Sequence, residues 1–241
     1  MFPIGDDNSD RTIQPVVNYA IIGINILVFV LLQRLGSNDA FTYAFSLVPK
    51  EIMTGVDISG VQILRDGAGH TAEIQHYATP LPVYFNFISS MFMHGGIAHI
   101  FGNMLFLFIF GDNIENRIGH VRYGIFYLLC GFTAAAGQIL MGPDSIIPML
   151  GASGAISGVL GGYALLFPKN PVRALVFNFL TTVPAFVAIG IWIVYQLVLG
   201  FLTPSGSGGV AYAAHIGGFL AGLVLIKIMA IGRSNPSFAK Q

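Results

Sequence analysis

The stretch that decides the fold is GASGAISGVLGGYALLF, running from Gly151 to Phe167. It carries no charged residue and is interrupted by glycine at Gly154, Gly158 and Gly161. Glycine costs about 1 kcal/mol in a helix interior relative to alanine, so its repetition needs a use. These three glycines fall on one helical stripe, and a stripe of small residues lets a second helix backbone come close inside a membrane. Ser153 stands beside that stripe, about 100° around the helix from Gly154. Taken alone, the G-x-S-G string reads equally well as a small-residue interface without chemistry.

The rest of the chain is of the same kind. Of its 241 residues, 54% are hydrophobic and 9% are charged, where a soluble domain carries roughly 25% charged residues. Mean hydropathy is +0.74. So few charges cannot cover a soluble surface, which argues against a soluble enzyme and against a disordered chain. The formal net charge is zero, which leaves no electrostatic footprint for nucleic acid. The single cysteine, Cys130, cannot form an intrachain disulfide.

A bilayer core of about 30 Å takes about 20 mostly apolar residues per helix. Six stretches are candidates: Val16–Leu32, Ile97–Phe110, Tyr123–Leu140, Ile146–Phe167, Ala174–Leu202 and Val210–Ile231. The first fourteen residues hold three Asp and one Arg, with no basic run leading into an apolar core. That fits neither a cleaved signal peptide nor an Arg-rich transit peptide, so the first stretch is expected to remain as a span. With the N-terminus cytoplasmic, eight of the eleven Lys and Arg fall inside: Arg11, Arg117, Arg122, Lys169, Arg173, Lys227, Arg233 and Lys240. Arg34, Lys50 and Arg65 fall outside. This asymmetry favours cytoplasmic N- and C-termini. The fold class expected is an all-α membrane protein, a six-transmembrane-helix bundle with a long first extracytoplasmic loop. Residues 1–15 form a cytoplasmic segment, residues 16–232 the six-span membrane domain, and residues 233–241 a cytoplasmic tail. Within the long loop, 36–93, Val61–Ile74 reads as strand, turn, strand. Val83–Met93 is aromatic-rich and suits an interfacial helix.

Polar residues inside spans are expensive, so each is a functional candidate. His70, His76 and His120 lie outside the spans and are expected on a solvated surface. His94, His99 and His215 lie at or inside spans near the outer face. His99 and Asn103 are four apart and share a helix face, with His94 just before Gly95-Gly96. Interhelical hydrogen bonding alone would also account for these residues. No carboxylate or cysteine joins the histidines at ligand spacing, so no metal is expected. In the last span, His215, Gly218 and Gly222 share one face. If its glycines meet those of Gly151–Phe167, His215 reaches Ser153 at the same depth.

The motifs H-x4-H-x3-N, G-x-S-G and A-H-x2-G-x3-G, in this order, resemble the rhomboid family of intramembrane serine proteases. The resemblance covers roughly residues 84–232 plus the first span, and Glu115-Asn116-Arg117 is similar to the family's E-x-R. It implies that Ser153 is the nucleophile and His215 the general base. His99, Asn103 and the Ser153 backbone N–H would form the oxyanion hole, supported by His94, Gly151, Gly154, Gly218 and Gly222. Two positions depart from the pattern. Phe85-Asn86 stands where the family often has Trp-Arg, and Ser157 where it often has a Tyr stacked on the histidine. The Ser157 hydroxyl is expected to bond a carbonyl one turn back, or His215.

The residues support the same chemistry directly. A serine hydroxyl needs an adjacent base, and no Asp or Glu in the fourth or sixth stretch could orient His215. A Ser–His dyad is therefore expected rather than a triad. The expected protein is an intramembrane serine endopeptidase that cleaves transmembrane segments of single-span or multi-span membrane proteins near the outer face. It would work in the lipid bilayer without a cofactor or nucleic acid, as a multi-pass protein of a prokaryotic cell membrane. The alternative is a non-catalytic relative that binds transmembrane clients; loss of the serine or the histidine would mark it, and both are present. A transporter with glycine-broken helices is disfavoured, since the stretches hold no charged residue apart from Lys227 near the end of the sixth and no repeat is visible.

Overall fold

The computed structural model describes residues 2–65, 71–177, 179–202 and 210–233. In chain order it contains strand β1 (Phe2–Asp6) and helix α1 (Val16–Leu27), which a π-helical turn prolongs to Leu32. Short helices α2 (Asp39–Ala44) and α3 (Pro49–Thr54), strands β2 (Gly60–Arg65) and β3 (Thr71–His76), and the short α4 (Asn86–Ser89) follow. Then come α5 (Ile97–Ile118), α6 (His120–Met141), α7 (Ser153–Leu166), strands β4 (Pro171–Val176) and β5 (Phe179–Pro184), and helices α8 (Ala185–Leu202) and α9 (Tyr212–Met229). Helices α5, α6, α8 and α9 are long and apolar enough to cross a membrane; Val16–Leu32 and α7 are apolar but shorter. The chain is thus a mostly helical, multi-pass membrane protein.

Two expected spans are redrawn. The fourth begins at Ser153 rather than Ile146, because residues 142–152 turn back under the long loop. There Leu47 and Met149 exchange backbone hydrogen bonds at 2.9 and 2.7 Å. The fifth begins at Ala185 rather than Ala174. The residues before it form the β4–β5 hairpin, and β1 adds to the outer side of β4 to make an antiparallel sheet of order β1-β4-β5. Along β4 burial alternates, with Val172 and Ala174 turned inward. That two-residue period belongs to a strand with one covered face, so the chain is not all-α.

The described residues of the segment 36–93 form short helices and a hairpin. The expected hairpin is present as β2–β3, paired from Gly60↔His76 to Arg65↔Thr71; the turn proposed at residues 66–69, and His70, lie outside the described residues. His76 corrects its expectation of a solvated position. It is buried at the end of β3, and burial lowers its pKa from the ordinary 6.5. Residues Val83–Phe92 form a nearly continuous helical stretch around α4. The departure at Asn86 has a physical account: its amide Nδ2 donates to the Ser46 carbonyl at 2.9 Å, and Ser89 Oγ donates to the Phe45 carbonyl at 2.9 Å. These bonds anchor the segment.

One glycine, Gly119 at φ +83°, is the whole connection between the 22-residue α5 and the 22-residue α6. A side chain is strained at such an angle. Around this corner, Glu115-Asn116-Arg117 ties three segments together. The Glu115 carboxylate accepts from the Val17 and Asn18 N–H groups at 2.9 and 2.6 Å, which caps the positive end of α1. Asn116 Oδ1 accepts from the Thr12 and Ile13 N–H groups. Arg117 donates to the Arg233 carbonyl at 2.9 Å, just past the end of α9. Arg122 donates to the Met229 and Ile231 carbonyls, and Arg11 pairs with Asp112 at 2.8 Å. Much of the basic charge therefore gathers at one end of the bundle.

Helices α7 and α9 run parallel and share the closest backbone approach. A Cβ placed on Gly218 would collide with the Gly154 carbonyl, and one on Gly222 with the Gly158 carbonyl. The two glycine stripes thus face each other, so the backbones touch where any larger residue would hold them apart.

Candidate active site

The close approach of α7 and α9 levels their first turns. Ser153 is the first residue of α7, and His215 lies in the first turn of α9. His215 Nε2 lies 2.8 Å from Ser153 Oγ. At the start of a helix the backbone N–H groups have no partner one turn back and point outward, so Ser153 sits where a developing negative charge is favoured.

Helix α5 brings His99 and Asn103 to the same place. The Gly95 N–H donates to His99 Nδ1 at 3.3 Å, which leaves the proton on Nε2. Gly151 explains itself here. Its φ is +122°, and a Cβ would come within 2.8 Å of His99 Nε2, so a larger residue would push the ring aside. His94 is fully buried and lies behind the site. Asn103 Nδ2 donates to His94 Nε2 at 3.0 Å. The backbone of His94 is held in turn by Gln33, which accepts from the His94 N–H at 3.0 Å and donates to its carbonyl at 2.8 Å.

These groups open onto a cavity of about 660 Å³ lined by Ser153, His215, His99, Asn103, Trp192 and Met149, among others, with no Asp, Glu, Lys or Arg in its wall among the described residues. The structure brings Ser153, His215, His99, Asn103, His94 and the glycines Gly151, Gly154, Gly218 and Gly222 into one region, and leaves Glu115-Asn116-Arg117 at the opposite end of α5. Gly154, Gly218 and Gly222 set the helix spacing, His99, Asn103, Ser153 and His215 line the opening, and Gly151 backs His99. Ser157 stands apart from the cavity: its hydroxyl donates to the Ser153 carbonyl at 2.6 Å, the first of its two expected partners.

Two residues of the site escaped the sequence reading, and both come from α8. The Trp192 ring lies 6.0 Å from the His215 ring, centroid to centroid, tilted by 38°. Gln196, one turn further, is buried and its Oε1 lies 2.8 Å from His215 Nδ1. The signal was available: Gln196 is the one amide side chain in Ala185–Leu202, and an amide at membrane depth needs a partner.

A helical membrane protein with a serine and an imidazole in contact at an uncharged cavity is the class these observations define. The chain belongs to the rhomboid family: the model for the rhomboid domain matches residues 82–231. It is 34% identical over 145 residues to RHOMBOID-like protein 4 of Arabidopsis thaliana, covering 60% of this chain and 34% of that protein. Rhomboid-related protein 2 of Mus musculus is 28% identical over 148 residues, 58% of this chain and 46% of that protein. Rhomboid protein 1, mitochondrial, of Saccharomyces cerevisiae is 28% identical over 216 residues, 86% of this chain and 51% of that protein. The chain thus spans between a third and about half of the length of these relatives.

Proposed function

We propose that this protein is an intramembrane serine endopeptidase that cleaves transmembrane segments of membrane proteins near the outer membrane face. The observation that carries the reading is the 2.8 Å contact between His215 Nε2 and Ser153 Oγ at the cavity. Ser153 Oγ attacks the scissile carbonyl carbon while its proton passes to His215 Nε2. The carbonyl π electrons move onto oxygen, where His99 Nε2–H, the free Asn103 N–H and the Ser153 backbone N–H stabilise the charge. Collapse of this intermediate breaks the C–N bond, and the leaving amine takes the proton from His215. Water then repeats the sequence on the acyl-enzyme. A scissile segment must be extended to reach the serine. Substrates whose helix loosens near the outer face are favoured, because unpaired backbone groups are costly in lipid.

The same reading has six spans and both termini cytoplasmic. Helix α7, at 14 residues, is about 21 Å long at 1.5 Å per residue, against a core of about 30 Å. It is too short to cross the whole core, which fits a Ser153 set below the outer surface. The basic end of the bundle faces the cytoplasm.

The test is a serine-directed fluorophosphonate and a single-span model substrate, with purified protein. Labelling and cleavage are expected for the unsubstituted chain and for Ser157→Ala, and neither for Ser153→Ala or His215→Ala. Labelling that persists in Ser153→Ala would overturn the assignment. For the orientation, a cysteine at Ile63 should react with an impermeant reagent from outside and one at Arg233 should not; the reverse pattern would invert the topology.

A further inference from the structure

His215 has two ring nitrogens, and both are engaged. Nε2 faces Ser153 Oγ at 2.8 Å, and Nδ1 faces Gln196 Oε1 at 2.8 Å. A carboxamide oxygen accepts and cannot donate, so Nδ1 carries the proton and Nε2 presents its lone pair to the hydroxyl. Of the two neutral tautomers of imidazole, this is the one that can take the serine's proton. An amide turned the other way would donate to Nδ1. It would hold the inactive tautomer, with an N–H pointing at the hydroxyl. We propose that Gln196 is the positioning residue of the site: it holds His215 in the Nδ1–H tautomer and accepts from the imidazolium when it forms. The proposal rests on the Ser153–His215 reading above.

The location explains the residue type. An ionised carboxylate in a lipid-exposed helix is expensive, whereas an amide offers the same acceptor without charge. Helix α8 packs on α9 and on α7, and Phe186, Ile191, Val194 and Val198 point outward. Trp192 and Gln196 are the side chains it sends toward His215. The ring is thus gripped by an aromatic face and an acceptor from one helix, in place of the tyrosine that Ser157 replaces.

The decisive measurement uses the full chain with 15N-labelled histidine, in bilayers, with the His215 signals assigned by their loss in His215→Ala. At a pH where the ring is neutral, Nδ1 should be protonated and Nε2 bare. A ring protonated at Nε2 would overturn the proposal with no further variant. Gln196→Met keeps length and removes the acceptor. It should mix the tautomers and slow fluorophosphonate labelling of Ser153 by about 10- to 100-fold, the range of a lost hydrogen bond to a charged group. Gln196→Glu, which keeps an acceptor, should label faster than Gln196→Met. Labelling of Gln196→Met at the wild-type rate with an unchanged spectrum would also overturn the proposal. If Ser153 of the unsubstituted chain does not react at all, the Ser–His reading itself has failed. A reactive wild type beside an indifferent Gln196→Met variant sinks only the role of Gln196.

Discussion

Asn103 shows how much a single side chain in this site depends on what lies behind it. Its amide has two N–H groups. One donates to His94 Nε2, and His94 is buried and fixed through its backbone by Gln33. That leaves the other N–H to face the cavity in a set direction. Asn103→Ala should therefore slow fluorophosphonate labelling of Ser153 by about 10²-fold, the usual loss for an oxyanion donor. The unfolding temperature in detergent should fall modestly, because the buried His94 Nε2 loses its donor, a cost of about 1–3 kcal/mol. A labelling rate equal to wild type would remove Asn103 from the site. The spacing of His99 and Asn103 was visible in the sequence, since i and i+4 share a helix face whatever else happens. The backing by His94 was not, because it depends on a bend at Gly95-Gly96 that turns the chain before α5 begins.

Among elements, the α7–α9 pair is the one the chemistry depends on. Both glycine stripes were legible from their period, because a small residue every fourth position in an apolar helix has little use except close packing. Gly218→Ala would set a methyl against the Gly154 carbonyl and the Ala134 side chain. It should lower stability by about 1–3 kcal/mol through overpacking and slow Ser153 labelling by moving His215. Gly190→Ala on α8, which has nothing within 4 Å of the new Cβ, should do neither. Thermal unfolding in detergent and labelling rates separate the two, and equal effects would show that the stripe is not a tight contact.

Across the whole molecule, the N-terminal strand joins elements that are distant in sequence. Asp6, at the end of β1, accepts from Asn113 Nδ2 on α5 at 2.6 Å and from Tyr163 Oη on α7 at 2.5 Å. Burial pushes its carboxyl up to about 7 from the ordinary 3.8, against the pull of those two hydrogen bonds. Between these values the folded chain keeps a proton that the unfolded chain releases. The stability Asp6 contributes is therefore complete below about pH 4, falls as pH rises, and is lost above about 7. Glu51, which burial also pushes up to about 7, adds a slope of the same sign. Asp6→Asn should raise the unfolding temperature at pH 8 more than at pH 5 and leave a shallower pH dependence. A slope identical to wild type would show that Asp6 does not titrate in the folded protein.

Composition alone determined that this chain lives in a membrane, because its few charges cannot cover a soluble surface. Local periodicity determined the helices that carry Ser153, His99, Asn103 and His215, and the small-residue faces that bring two of those helices together. These are properties of neighbours along one helix, and a helix repeats them wherever it packs. The β1-β4-β5 sheet, the burial of His76 and the grip of Gln196 on His215 were decided only by tertiary structure. Each joins segments far apart in the chain: β1 meets β4 across more than 160 residues, and Gln196 meets His215 across a helix-to-helix connection. An apolar strand such as β4 reads like the start of a span until the partner that satisfies its backbone is in place.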